Sequence, residues 1–201
     1  MRREAKAKER RRTMFVVGAG ILTSLLLIGV ATAGIVVQNN NRAAKKKIVG
    51  LVTFDASKLG RKHTTAPVKY AQTPPVGGDH DPVWLNCGIY DKPVKVGSAV
   101  HDMEHGAVWI TYDPKLPTAE VDKLRVAART NGTYQGAPWT DITPFTGLNS
   151  GDIYASAWGY QLKLTNASDP RLIKFLTRFV HGPQTPEPTA ACTGGTGTPI
   201  P

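Results

Sequence analysis

The stretch Val100-His101-Asp102-Met103-Glu104-His105-Gly106-Ala107-Val108-Trp109-Ile110-Thr111-Tyr112 changes its periodicity in the middle. Up to His105 it carries two imidazoles one helical turn apart, with a carboxylate between them. On a helical turn those two rings point the same way. Gly106 interrupts the pattern. From there to Tyr112, small, apolar and polar residues alternate in a β-rich run that reads as a strand, and Asp113-Pro114 ends it. A short turn feeding directly into a strand points to an α+β fold and leaves no long helix around the histidines.

Read as letters, the pentad is H-x-x-E-H, the order used by inverted zinc proteases. Those enzymes set the motif inside a long helix and add a distant glutamate ligand. With Gly106 following at once, a zinc hydrolase using Glu104 as general base is the weakest of the readings open here. A short turn offering His101 and His105 to one transition metal ion is a stronger one. In it Glu104 points elsewhere, free to orient a ring.

Downstream, residues 118–131 read as a helix. Thr118 is its candidate cap, Val121, Leu124 and Ala128 form an apolar stripe, and Asn131-Gly132 is its stop. Residues 153–165 read as one strand, with a bulge near Gly159. Asp169-Pro170 opens a second helix, in which Leu172, Phe175, Leu176, Phe179 and Val180 fall at helical spacing before Gly182-Pro183. Upstream, residues 67–93 are dense in Pro, Gly and Asp and read as loop. The sum is a single small α+β domain: a mixed or antiparallel sheet, two helices and a long irregular lead-in.

That lead-in contains His80, within Pro74-Pro75-Val76-Gly77-Gly78-Asp79-His80-Asp81. Its glycines let backbone approach a site closely, and His80 is the natural third metal ligand beside His101 and His105. Asp79 or Asp81 would hold the His80 ring from behind. Met103 offers a thioether that would favour copper(I) over zinc if it faced the site; otherwise it is core. The alternative for all of these residues is a polar corner of the fold, hydrogen-bonded and metal-free. No phosphate-binding glycine loop and no Gly-x-Ser-x-Gly elbow occurs.

The ends of the chain speak about location. Residues 1–13 are strongly basic, residues 14–37 are an uncharged, mostly apolar run long enough to cross a bilayer, and Arg42, Lys45, Lys46 and Lys47 follow. The charge imbalance favours a cytoplasmic N-terminus and a globular part outside. Ala31-Thr32-Ala33 leaves cleavage of the segment as the competing reading. Residues 38–60 read as a polar stalk, 61–193 as the extracytoplasmic domain and 194–201 as a disordered tail. The net charge of +10 comes from the N-terminal clusters. Beyond them acidic and basic residues nearly balance, with no basic stripe, so nucleic acid is not the expected partner.

The two cysteines, Cys87 and Cys192, form one disulfide in an oxidising compartment, stapling the C-terminal tail to the core and contributing about 4–5 kcal/mol. A thiolate metal ligand is the rival reading.

The strings Pro74-Pro75-Val76-Gly77-Gly78-Asp79-His80, Trp84-Leu85-Asn86-Cys87-Gly88-Ile89-Tyr90 and Val100-His101-Asp102-Met103-Glu104-His105-Gly106 are joined by Trp158-Gly159 and Pro186-Glu187-Pro188-Thr189-Ala190-Ala191-Cys192. With these the chain resembles the bacterial family catalogued as domain of unknown function 3105, over about residues 45–193. The resemblance implies a membrane-anchored, extracytoplasmic, often actinobacterial domain without an established activity. It also implies an aliphatic residue where Met103 stands, which favours the histidines and Glu104 over the thioether. Two functions follow as expectations. One is an anchored domain that binds copper or zinc through His80, His101 and His105 for storage, delivery or sensing. The other is a non-enzymatic interaction domain whose partner is another envelope protein.

Overall fold

The computed structural model describes Met14 and residues 47–201. The basic segment, nearly all of the expected membrane span and the first part of the expected stalk lie outside these residues. Among the described residues no helix is long and apolar enough to cross a membrane.

In chain order the elements are β1 (Leu51–Thr53), a 3-10 turn (Ala56–Lys58), α1 (Val96–His105), β2 (Val108–Tyr112), α2 (Thr118–Asn131), β3 (Thr133–Tyr134), β4 (Ala137–Pro138), β5 (Thr140–Pro144), β6 (Ile153–Ala157), β7 (Tyr160–Leu164) and α3 (Pro170–Phe179). The main sheet has the order β1-β7-β6-β2-β5. Only β2 and β5 run parallel, joined through α2, since a parallel neighbour needs a crossover connection. The other pairs are antiparallel. This is the expected α+β architecture with its mixed sheet, and among the described residues it has three helices where the sequence suggested two.

β2 sits inside the sheet and is buried along its whole length. Its alternation explains why. Val108, Ile110 and Tyr112 join the main core with Val121 and Leu124 of α2 and Leu172, Phe175, Leu176 and Phe179 of α3. Trp109 points the other way, into a second core with Leu85, Tyr90, Ala99, Val100, Met103 and Trp158. The sheet is thus covered on both faces, by α2 and α3 on one and by α1 and the irregular lead-in on the other.

The caps follow the sequence signals closely at α3, where the Asp169 side chain accepts from the Arg171 amide and Pro170 occupies the first turn. Pro117 rather than Thr118 caps α2. At the end of α1, Gly106 turns into the left-handed region (φ 109°) and its amide returns to the Asp102 and Met103 carbonyls. A Cβ there would come within 2.8 Å of Thr185 Oγ1 and 3.2 Å of His181 Cα. Only glycine lets the helix end and the chain pass under the tail into β2.

Three expectations are corrected. Residues 153–165 form a hairpin, because Gly159 at φ 74° reverses the chain and Ala157 pairs with Tyr160. Residues 51–53, read as stalk, pair with β7 as an edge strand. Residues 194–201 run back along residues 84–90, with bridges Leu85↔Thr196 and Ile89↔Ile200, because the unpaired backbone of that irregular segment finds partners there. The tail is therefore ordered.

Candidate metal centre

α1 explains the centre's geometry. His101 and His105, one turn apart, bring their rings to 4.4 Å between centroids. Glu104, three residues after His101, lies on the same side of the helix rather than away from it. His80 arrives from the glycine loop, 4.7 Å from the His101 ring. His63 is added by a parallel bridge of its backbone with that of His80, and its ring stacks on His101 at 4.8 Å. Donor atoms of His63, His80, His101 and Glu104 all lie within 4.8 Å of one another. Ligands on one tetrahedral zinc ion stand about 3.4 Å apart, given bonds of about 2.1 Å. The cluster is thus slightly more open than a filled site. His105 stands beside it.

Three of the imidazoles are held in the same manner. His80 Nδ1 is 2.8 Å from the Gly78 carbonyl, His101 Nδ1 is 2.7 Å from the Asp81 carbonyl, and His105 Nδ1 is 2.7 Å from the Ala191 carbonyl. A carbonyl can only accept, so each Nδ1 carries the proton and donates it. In the neutral ring Nε2 is then a bare lone pair, the form that ligates metals. His80, His101 and His105 are all nearly fully buried. His80 Nε2 stands 3.0 Å from Glu104 Oε2, its ion-pair partner when the ring is protonated, although the two are not aligned as a hydrogen bond. His63 differs. It is exposed, and its ring makes no hydrogen bond to another described residue.

Burial pushes His101 down to about 4, with the neighbouring His105, His80 and His63 adding to the effect against its carbonyl bond. Burial likewise lowers His105. At His80 burial pulls the other way but is outweighed by the Glu104 carboxylate and the Gly78 carbonyl, so its pKa is raised. Burial would raise Glu104; the His80 ring and the Arg61 guanidinium overcome it and hold that carboxyl at about 2. Arg61 bonds Glu104 through Nε and Glu187 through Nη2 at 3.1 Å. Glu187 Oε2 in turn lies 4.0 Å from His105 Nε2.

Two of the three residues expected as ligands, His80 and His101, thus fall in the four-donor group, while His105 is adjacent to it. Glu104 lies inside the group. His63 was not found by sequence reasoning; its neighbours Lys62 and Thr64 give no motif, and the only signal would have been its place in the same lead-in as His80. The expected orienting carboxylates act otherwise. Asp79 Oδ1 accepts from the Lys62 amide, bracing the loop before His63. The Asp81 carboxylate binds Lys95 and the Val83 amide, and its backbone carbonyl orients His101. Backbone, not side chain, orients the rings because the irregular lead-in and the tail leave carbonyls unpaired by regular structure, those of Gly78 and Asp81 in the one and Ala191 in the other. Met103 is fully buried in the second core beside Trp109 and Trp158. That core is the apolar side of the helix, so Met103 is packing. Cys87 and Cys192 are bonded to each other, with Cα atoms 5.4 Å apart, so neither is a thiolate ligand.

What this arrangement defines is a small α+β domain with a buried histidine–glutamate cluster able to hold a metal ion. The chain matches the family described as Protein of unknown function (DUF3105) over residues 61–194, and it belongs to that family. All four clustered donors and both cysteines fall inside the matched region. No curated protein and no solved structure matches the chain.

Proposed function

We propose that this domain binds a transition metal ion, copper or zinc, through Nε2 of His80 and His101 with His63 and Glu104, and that His105 stands ready beside them. We further propose that it stores, delivers or senses the ion at the outer face of the membrane to which residues 14–37 anchor it. One observation carries the reading: His80 and His101 commit Nδ1 to backbone carbonyls, which leaves Nε2 free to ligate, and donor atoms of these two residues, His63 and Glu104 converge within 4.8 Å.

Hydrolysis finds less support. α1 is ten residues long and stops at Gly106, and Arg61 keeps Glu104 ionised with a weakly basic carboxylate. A second reading rests on that same Arg61–Glu104–Glu187 chain of contacts. In it the cluster is a polar cross-link between the lead-in, α1 and the tail, and the domain serves another envelope protein.

The discriminating measurement is titration of untagged protein with zinc, copper(II) and copper(I), followed by mass-spectrometric metal analysis. Trp84 provides an optical readout, since its ring lies 5.7 Å from His101 and 5.4 Å from His105. One equivalent of metal is expected, with affinity falling at least about 100-fold in His101→Ala, more than loss of an outer partner produces. Absence of binding by the wild type would leave the cross-link reading in place.

A further inference from the structure

The ligands of the centre are unequal in one respect that bears on what becomes of the ion. His80 and His101 have rings fixed by carbonyl bonds of 2.8 and 2.7 Å and are 0% and 3% exposed. Glu104 is 1% exposed and is gripped by Arg61. These three cannot leave the ion without breaking buried contacts.

His63 is held only at its backbone. Thr64 N donates to His80 O at 2.7 Å and His80 N donates to Lys62 O at 3.0 Å, which keeps the residue in register beside the cluster. Its ring faces solvent on one side and the His101 ring on the other. A side-chain rotation about a fixed backbone removes this imidazole at the cost of its ring contacts with His101 and His80, on the timescale of exposed rotamers. The opening it leaves is on the exposed side of the site.

We propose, on the basis of the metal-binding reading, that His63 is the exchangeable ligand through which the ion is handed to an acceptor protein. A nitrogen, oxygen or sulfur donor of the acceptor enters at the exposed face, forms a bond to the ion as the His63 Nε2 or Nδ1 bond breaks, and the fixed set then releases it stepwise. No electron changes hands and the imidazole leaves as a neutral ligand. The domain is thereby a delivery module rather than a store, because a store would bury every ligand.

The test uses zinc-loaded wild-type domain and the His63→Ala and His101→Ala variants, with a coloured chelator such as 4-(2-pyridylazo)resorcinol standing in for the acceptor in stopped-flow transfer. In the wild type the transfer rate should rise linearly with chelator concentration. In His63→Ala the domain should still bind one zinc and surrender it at least about tenfold faster. In His101→Ala binding itself should be lost. His63 is exposed, so unchanged thermal unfolding of the metal-free variant is expected and checks that the fold is intact.

A transfer rate independent of chelator concentration would overturn the proposal. So would a His63→Ala variant that matches the wild type, or one that fails to bind zinc as completely as His101→Ala does. A wild-type domain that binds no zinc and no copper would instead overturn the metal reading itself, which keeps the two failures apart.

Discussion

Helix α1 carries two buried carboxyl groups two residues apart, Asp102 and Glu104, which meet opposite fates. Glu104 faces Arg61 and His80 and stays ionised, held at about 2 against its burial. Asp102 points to the other side, where its Oδ1 accepts from the Leu85 amide at 3.1 Å. There its neighbour is Asp141, whose Oδ1 accepts from the Gly88 amide at 3.2 Å. Burial, followed by the second carboxylate, pushes Asp102 well up, and burial pushes Asp141 up as well. Asp102 Oδ2 and Asp141 Oδ2 have no other hydrogen-bond partner, and a proton shared between the two carboxyls would satisfy both. The lesson is that burial alone does not set a charge state. With nearly equal exposure, the identity of the nearest group decides whether a carboxyl stays ionised or is pushed toward its neutral form.

The Asp102 face also contains the disulfide, since a carboxylate oxygen of Asp102 lies within 4.8 Å of the sulfurs of Cys87 and Cys192. Three substitutions probe the two faces, in decreasing order of effect. Cys192→Ala removes a link spanning 105 residues and should destabilise the domain by about 4–5 kcal/mol in urea unfolding. A loss below about 1 kcal/mol would mean that the backbone bridges at Thr196 and Ile200 hold the tail unaided.

Glu104→Gln should cost about 2 kcal/mol in the metal-free domain. That is less than a fully buried broken pair, because Arg61 is half exposed. It should also flatten the acid limb of stability. A depressed carboxyl stabilises above its ordinary pKa and loses that contribution as pH falls through the folded value, here from the ordinary 4.5 toward about 2. An unchanged acid limb would detach Glu104 from this account.

Asp102→Asn should change stability by less than about 1 kcal/mol at pH 6, since the amide can accept from Leu85 and donate to Asp141. Its pH dependence should run opposite to that of Glu104. A raised carboxyl pair stabilises below the ordinary carboxylate range and loses that contribution as pH rises through the folded pKa. Stability of the wild type should therefore decline as pH rises from the ordinary carboxylate range toward the raised folded values, about 7 for Asp141, and the variant should decline less. Parallel curves would show that no proton is shared.

The same contrast explains what the sequence could and could not convey. The spacing of His101 and His105 announces a common face because a helical turn is a local object. The α2 and α3 boundaries are legible for the same reason. β5 was not legible. Its Thr140-Asp141-Ile142-Thr143-Pro144 looks like an exposed turn, yet every residue is buried. The partners of its Asp141, the Gly88 amide and the Asp102 carboxyl, both come from far away in sequence. The hairpin of β6 and β7 reads as one strand because Trp158-Gly159 breaks an alternating pattern by only two residues. His63 depends on a bridge to His80, a non-local contact with no local sequence signature.

Ala191, whose carbonyl fixes His105, lies next to Cys192 near the end of the described chain, whereas His63 lies near its beginning. Polypeptides emerge N-terminus first, at a ribosome or at a translocation channel. His105 is therefore out before the carbonyl that orients its ring has been delivered, whereas the Gly78 and Asp81 carbonyls that orient His80 and His101 come out together with them. A product cut short before the tail would display His105 without its orienting carbonyl and Cys87 without its disulfide partner, while His63, His80, His101 and Glu104 would all be present.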